Sequence, residues 1–235
     1  MTAITTMLVS FVLSMSAFAA NSDNIDSPAQ REAAAIVQQL RDFPPALPGG
    51  LRSDGKIDPV EQRREELYER LRRLGNDALP ALTRGLSDPD VRIRRNVALV
   101  LTVLAGKWYK PSAPRLDIRP CLTALITALK DSDSSVRARA AQAIGDIGAD
   151  AIPAIPALLT LLKNADEGSR IGACIALRGV GTAAKQALPA LRLALADPSP
   201  DVRRFAQQAI DSIQDGRKLT AQKQSALAAL VERGL

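Results

Sequence analysis

Histidine is absent from this 235-residue chain, and aromatic residues make up only 3% of it. The absence of histidine removes the commonest general base and the commonest metal ligand together. Because 46% of the residues are nonetheless hydrophobic, the scarcity of aromatic side chains predicts an aliphatic, alanine-rich core of closely packed helices. No arrangement of the remaining residues matches a catalytic site. We therefore predict no catalytic, cofactor-binding or metal-binding residue, and expect a protein that is not an enzyme.

Cysteine is also scarce, with Cys121 and Cys174 as the only two. In an exported protein, two thiols could form a disulfide. Cys174, however, lies where the preceding copy of the repeat described below has Ala141, so it fits a small core residue. We predict two unpaired cysteines.

Charged residues are missing from the first 20 residues, including the Lys or Arg that usually precedes the apolar core of a signal peptide. The apolar core itself is present from Met7 to Phe18, and Ala17-Phe18-Ala19 is a small-x-small pattern typical of cleavage sites. We predict a signal peptide at Met1–Ala19, cleavage before Ala20, and a secreted or periplasmic protein with no stable membrane span afterwards. A short membrane anchor is the alternative, although the run is short and Ser-rich for a span.

The net charge of +6 is concentrated in one part of the chain. Between residues 84 and 119 there are eight basic and three acidic residues, a net +5. This excess is compatible with a partner that carries acidic groups, and also with solubility alone, which we favour.

A repeated pattern organises the middle of the chain. We use as its marker one arginine per copy, the repeat arginine, and assign it to Arg92, Arg137, Arg170 and Arg203, at intervals of 45, 33 and 33 residues. In the later copies, small and aliphatic residues recur three, six, seven and ten positions after the marker, which places them on one face of a helix. A fixed period of this length predicts a solenoid of stacked helix pairs. The longer first interval predicts an insertion of about 12 residues within Gly106–Pro120.

Four segments give the repeat a recognisable form: LPAL at Leu188–Leu191, IPAL at Ile155–Leu158, DSSVRARAAQAIGDIG at Asp133–Gly148 and DVRRFAQQAI at Asp201–Ile210. They resemble the HEAT-repeat family, specifically the short HEAT-like repeats of phycobilin lyases. The resemblance implies an all-α, right-handed α-solenoid of stacked antiparallel helix pairs, with about four repeats and capping helices at both ends. The first repeat departs from the pattern, because Arg95 and Asn96 stand where a later one has Ala140 and Ala141.

The domain organisation follows from this pattern. After the signal peptide (1–19), we expect N-terminal helices and a linker at 20–76, the repeats at 77–216 and a C-terminal capping helix at 217–235. Within the linker, Asp54–Glu61 resembles the second half of a calcium-binding loop. Gly50 and Arg52 stand at the positions that need acids, so we favour a turn followed by a helix that begins at Asp58.

Acidic residues precede the repeat arginines and could be mistaken for catalytic pairs; they are Asp88, Asp133, Asp166 and Asp201. A catalytic pair need occur only once, whereas these recur in every repeat. We therefore expect structural roles: the aspartates cap helix N-termini, and the arginines bridge to the next repeat.

The binding candidates lie in two places. The insertion contains Trp108 and Tyr109, residue types enriched at binding hot spots, although Trp108 could instead cover the apolar end of the first repeat. Second helices of HEAT-like repeats usually line the concave face. Their outward positions, two and five after each marker, are Arg94, Val97, Arg139, Gln142, Gly172, Ile175, Phe205 and Gln208. This mixed stripe suits a protein or peptide better than nucleic acid. We select Trp108, Tyr109, Arg94, Arg139 and Gln142 as candidate contacts.

The function predicted from these features is a non-enzymatic interaction scaffold, exported from the cytoplasm, that binds a protein or peptide on its concave face. The alternative is a HEAT-like enzyme or enzyme subunit of the phycobilin-lyase kind, or a nucleic-acid binder, if the N-terminal segment is not a cleaved signal.

Overall fold

The chain folds into stacked pairs of antiparallel helices. A computed structural model describes residues 27–44, 58–106, 114–164 and 166–214. The predicted signal peptide, most of the linker, Trp108 and Tyr109, and the predicted C-terminal cap lie outside these ranges. Within them, all regular secondary structure is helical, as predicted.

In the described ranges, two N-terminal helices precede the repeats. Helix α1 (Pro28–Gln39) continues into a 3-10 turn at Leu40–Asp42, and α2 spans Pro59–Leu74. Ser27 and Gln30 form a reciprocal capping box at the start of α1, and the Asp58 carboxylate accepts a hydrogen bond from the Val60 amide (2.8 Å). The predicted start of α2 at Asp58 is therefore confirmed.

Four helix pairs follow in the described part of the chain. A short first helix of seven residues precedes a longer second helix in each: α3 (Leu79–Gly85) and α4 (Val91–Ala105), α5 (Leu122–Ala128) and α6 (Ser134–Ile147), α7 (Ile155–Leu161) and α8 (Glu167–Val180), and α9 (Leu188–Ala194) and α10 (200–214). Proline stands in the first turn of α3, α7 and α9, where a missing backbone N–H costs nothing. Successive second helices pack against each other, α4 on α6 and α6 on α8, and Ser212 Oγ of α10 donates to the Arg178 carbonyl of α8 (3.1 Å), so the core is continuous along the stack.

The register of the first repeat differs from the prediction by two residues. Arg94, and not Arg92, occupies the place of Arg137, Arg170 and Arg203, because its Nη1 donates to the carbonyls of Asp88 and Pro89, six and five residues earlier (2.9 and 3.2 Å). Arg137 and Arg203 make the same pair of bonds, and Arg170 makes the first of them. The first interval is therefore 43 residues, and the insertion is about two residues shorter than predicted.

The corrected register removes the anomaly of the first repeat. Arg95 and Asn96 no longer align with Ala140 and Ala141, and buried Val97 takes the place of Ala140, Ala173 and Ala206. Leu82 now aligns with Leu125, Leu158 and Leu191, twelve residues before each marker, and all four are fully buried. The sequence contained this signal in LPAL at 79–82, which repeats the motif at 188–191.

The repeat arginines also join neighbouring repeats. Arg94 forms a bidentate ion pair with Asp131 (2.7 and 3.0 Å), and Arg170 forms the same pair with Asp197 (2.8 and 2.9 Å). Between them, Asn164 stands at the sequence position of Asp131 and Asp197; Arg137 Nε donates to Ser169 Oγ (2.9 Å), and its Nη2 lies 3.6 Å from Asp166 Oδ2. The predicted bridge to the next repeat is confirmed for Arg137 and Arg170, whereas in the first repeat Arg94 makes it instead of Arg92. The predicted N-cap role is confirmed for Asp133 and Asp166; Asp90 caps α4 in place of Asp88, and Asp201 lies inside α10.

Glycines end two of the second helices. Gly148 and Gly181 have positive φ values (78° and 63°), which glycine adopts without strain. Gly106 also follows a second helix, but its φ is −71°, so α4 does not end in a left-handed residue.

One helical run in the described ranges, Ser134–Leu161, is long and apolar enough to cross a membrane by length and composition, with a mean hydropathy of 1.4 over its best window. It comprises α6, a 3-10 segment and α7, and Gly148 breaks its helical path. Its residues Ala140, Ala143 and Ile144 are buried inside the stack.

Both cysteines are buried and unpaired, as predicted. Burial raises the pKa of Cys174 to about 12 and also raises the pKa of Cys121, which contacts Thr83 Oγ1 at 3.3 Å.

Candidate functional site

The outward side chains of the second helices form the surface that we call the second-helix face. In the corrected register its members, two and five residues after each repeat arginine, are Asn96, Leu99, Arg139, Gln142, Gly172, Ile175, Phe205 and Gln208. The register shift removes Arg94 from this face. Its guanidinium is held by Asp131 and by two backbone carbonyls, and its side chain is only 15% exposed. Val97 leaves the face as well, because it is fully buried.

The N-terminal segment covers the part of the second-helix face that belongs to the first repeat. Asn96 Nδ2 donates to the carbonyls of Leu40 (2.8 Å) and Phe43 (3.2 Å), and both Asn96 and Leu99 are buried. This amide therefore fastens the chain after α1 onto α4.

A cleft opens beside this covered region, between the first turns of α4 and α6. Its volume is about 270 Å³, and its lining residues are Phe43, Pro44, Arg92, Arg95, Asn96, Leu99, Ser135 and Arg139. Three of the eight are arginines, so the cleft combines an apolar wall with positive charge.

The three arginines differ in how their charge is compensated. Arg92 is paired with Asp90 (2.8 Å), and Arg95 is paired with Asp133. Arg139 is half-buried and makes no hydrogen bond or ion pair with any residue that the structure describes. Burial lowers the pKa of Arg139; the nearby Tyr68 side chain acts in the opposite direction, and the positive charge of Arg64 lowers the pKa further.

Helix α2 supplies the second cation and an aromatic residue near Arg139. Arg64 is 3% exposed; its Nη2 donates to the Pro44 carbonyl (2.6 Å), and its guanidinium carbon lies 5.4 Å from the centre of the Phe43 ring. Arg64 Nε and Nη1 have no hydrogen-bond partner, although Glu61 lies 3.4 Å from Nη2. Burial raises the pKa of Tyr68 to about 12, so its phenol stays protonated. The region behind the cleft is thus desolvated and positive.

Sequence reasoning missed Arg64 and Tyr68. The buried residues of α2 are Arg64, Leu67, Tyr68 and Leu71, whereas the apolar Val60 is 40% exposed. The available signal was spacing, because Arg64 lies three residues before Leu67 and Tyr68 lies three before Leu71.

Beyond the cleft, the second-helix face is neutral and partly apolar. Gln142, Ile175 and Phe205 are half-buried, and the guanidinium of Arg204 lies 4.4 Å from the centre of the Phe205 ring. Gln208 accepts a hydrogen bond from Arg178 (2.7 Å). Amide groups beside apolar surface can bind both the backbone and the side chains of a peptide.

Trp108 and Tyr109 lie outside the described residues, so their relation to the cleft is a prediction only. The insertion begins after Gly106, at the C-terminal end of α4, whereas the cleft lies near its start. At 1.5 Å per residue, Asn96 and Gly106 are about 15 Å apart along the helix. A second cleft of about 290 Å³ lies where the chain returns, lined in part by Arg115, Asp117, Arg119 and Asp150. Arg119 is paired there with Asp117 and Asp150.

No group of three or more His, Cys, Asp and Glu residues is placed to hold a metal ion within 27–44, 58–106, 114–164 and 166–214.

The fold and the contacts between repeat arginines and aspartates define the class of this protein as an α-solenoid of stacked helix pairs. Residues 122–211 and 155–233 match the model of a family described as HEAT repeats. The predicted resemblance to HEAT repeats is therefore confirmed over residues 122–233. No curated protein matches it significantly.

Solved structures with the same architecture include natural and designed proteins. The complex of CpcE and CpcF of phycocyanin lyase from Nostoc sp. PCC7120 is 20% identical over 74% of this chain and 98% of that chain, with a TM-score of 0.54. Computationally designed armadillo repeat proteins for modular peptide recognition are 20% identical over 80% and 78% of the two chains (TM-score 0.53). A designed armadillo repeat protein in complex with the peptide (KR)4 is 19% identical over 77% and 81% (TM-score 0.52). These likenesses concern the fold, and the predicted right-handed α-solenoid is confirmed.

Proposed function

We propose that this chain is an exported, non-enzymatic HEAT-repeat scaffold that binds a protein or peptide segment along a concave second-helix face. The observation that carries the proposal is a contrast between two sets of positions within the same repeats. Three residues after the repeat arginine, the side chain is always small or aliphatic: Val97, Ala140, Ala173 and Ala206. Two residues after it, the side chain changes completely: Asn96, Arg139, Gly172 and Phe205. The stack therefore accommodates different residue types at the second position. Gly172 is buried against α6 and Asn96 is buried under the N-terminal segment, so the half-buried Arg139 and Phe205 are the side chains at this position that remain available for recognition.

The chemistry of the face also fits a peptide. Half-buried Ile175 and Phe205 offer apolar contact, and Gln142 offers an amide that can bind a peptide backbone. Designed repeat proteins of similar fold bind peptides, and one of them is in complex with (KR)4.

The binding proposal can be tested by selecting peptides from a random display library on the immobilised chain. We expect enriched peptides to lose at least about tenfold in affinity for a Gln142→Ala/Ile175→Ala variant, as contacts in a binding site do. The matched control is Ile152→Ala/Leu193→Ala, which alters two exposed apolar residues (50% and 77% exposed) outside the second-helix face. Failure to enrich any peptide, or equal losses for both variants, would contradict the proposal.

Export requires a separate measurement, because the segment concerned is Met1–Ala19. N-terminal sequencing of the protein isolated from its native source should read Ala20 first. A chain that retains Met1 would contradict export and would favour the alternative functions of cytoplasmic HEAT-like proteins.

A further inference from the structure

Arg139 is unusual among the arginines of the repeats. Arg94, Arg95 and Arg170 each face a carboxylate from the next repeat, at Asp131, Asp133 and Asp197. Arg139 is half-buried without any such partner in the part of the chain that the structure describes, and it lies near Arg64, a second buried cation. A desolvated charge without a counterion is unfavourable, and a like charge nearby adds to the cost.

The fold does not require an arginine at this position. The equivalent positions of the other repeats hold an amide, a glycine and a phenylalanine at Asn96, Gly172 and Phe205. Packing of the stack therefore does not explain why this repeat places a cation there. A ligand that supplies the missing negative charge does explain it.

Resting on the proposed function, we propose that the cleft at Arg139 binds a carboxylate of an acidic segment in the protein partner. The planar guanidinium can donate two parallel hydrogen bonds to one carboxylate. The exposed hydroxyl of Ser135 lines the same cleft and offers a further donor, and Phe43, Pro44 and Leu99 supply an apolar wall. A volume of about 270 Å³ is below that of most drug-sized ligand sites and suits one or two side chains.

The surroundings favour a peptide carboxylate over a nucleic-acid backbone. Affinity for nucleic acid comes from several phosphate contacts along a positive stripe. Beyond the cleft the second-helix face continues with Gln142, Ile175 and Gly172, which carry no charge. A peptide that places one carboxylate at Arg139 and neutral or apolar residues beyond it matches the side chains of this face.

The test compares two labelled peptides of equal length, tetraglutamate and tetraglutamine, by fluorescence anisotropy with the isolated chain at physiological ionic strength. We expect tetraglutamate to bind at least about tenfold more tightly, and Arg139→Gln to abolish that difference. Arg139→Lys, which keeps the charge and loses the fork geometry, should give an intermediate loss. Arg84→Gln is the matched control, because Arg84 is exposed on the first helix α3 and its loss changes the net charge equally; it should alter binding less than twofold.

Thermal melting of the same variants separates binding from structural support. Arg139→Gln should melt at the same or a higher temperature, since it removes an uncompensated charge. A clear fall in melting temperature, unchanged tetraglutamate binding, or equal losses for Arg139→Gln and Arg84→Gln would overturn the proposal. Preference for a labelled single-stranded oligonucleotide, lost in Arg139→Gln, would overturn it in favour of nucleic acid. If library selection yields neutral peptides that depend on Gln142 and Ile175 and not on Arg139, the scaffold function stands and the carboxylate site fails.

Discussion

The α4–α6 contact and the α6–α8 contact involve equivalent positions of the repeat. The helices α6 and α8 approach each other closely, whereas a cleft opens between α4 and α6. Between α6 and α8, Gly145, Gly172 and Gly179 bring the two backbones together; a Cβ on Gly172 would lie 3.1 Å from the Ala138 Cα. At the equivalent places of the α4–α6 contact, α6 has Arg139 and Asp146 where α8 has Gly172 and Gly179, and the cleft beside Arg139 lies between α4 and α6. One repeat template therefore gives a closed contact or an open cleft, depending on side-chain volume at a few positions.

The largest expected effect comes from filling the closed contact. In Gly179→Ala the new Cβ would lie 2.2 Å from the carbonyl oxygen of Gly145, a backbone atom that cannot move without shifting α6. We expect a loss of about 3 kcal/mol in the free energy of unfolding, measured by urea denaturation.

The control for this change is Gly168→Ala in the first turn of the same helix. Its Cβ would meet only the Asp166 carboxylate oxygens, at 3.7 and 3.9 Å. Because alanine is the better helix former, stability should be unchanged or higher by up to about 1 kcal/mol. Similar losses for both variants would show that close approach of α6 and α8 is not the reason for glycine at 179.

The insertion distinguishes the first repeat from the later ones and carries the next prediction. If Trp108 and Tyr109 contact the partner, replacing both by alanine should weaken binding of selected peptides by about 2 kcal/mol and leave thermal melting unchanged. If they cover the end of the first repeat, the same change should lower stability by about 3 kcal/mol or more. Melting of the double variant decides between these two interpretations.

A smaller effect on stability is expected from the ion pairs that join neighbouring repeats. Asn164 occupies the place of Asp131 and Asp197, so Arg137 lacks the bidentate carboxylate that Arg94 and Arg170 have. Asn164→Asp should stabilise the stack by about 0.5–1 kcal/mol, the range of ion pairs near a surface. Asn76→Asp makes the same change at an exposed site before α3 and should have no effect. Equal effects would show that the result reflects net charge and not the pair.

The smallest effect concerns the rate of thiol labelling. Burial raises the pKa of Cys174 to about 12, so at pH 8 only about one thiol in ten thousand is ionised there. Native protein should react with a thiolate-specific disulfide reagent very slowly, and Cys121→Ser should abolish most of the residual labelling. Both thiols should react within minutes in denaturing urea. Rapid labelling of Cys174 in the folded chain would contradict the packing between α6 and α8.

The helical repeats could be predicted from the sequence because their signals are local. Caps such as Ser27 and Asp58 act over two or three residues, and the buried positions recur with the period of one helix. The role of the recurring aspartates and arginines was predictable for the same reason, since recurrence itself marks a structural use. The first repeat was misaligned because two arginines, Arg92 and Arg94, lie close together, and only the carbonyls that Arg94 reaches distinguish them.

The sequence by itself determined the repeat, its resemblance to HEAT repeats, the buried faces of the second helices α6, α8 and α10, and the unpaired state of both cysteines, since each depends on side chains at fixed spacing. The tertiary structure alone decided which arginine is compensated and which is not. That property depends on whether a carboxylate from another segment lies opposite the guanidinium, as Asp131 does for Arg94 and as no described residue does for Arg139. It also brought Phe43 and Arg64 together, although they are 21 residues apart in the sequence. The spacing of residues along the chain does not predict this contact between Phe43 and Arg64. The contact results from how separate helices pack and how closely their side chains allow them to approach.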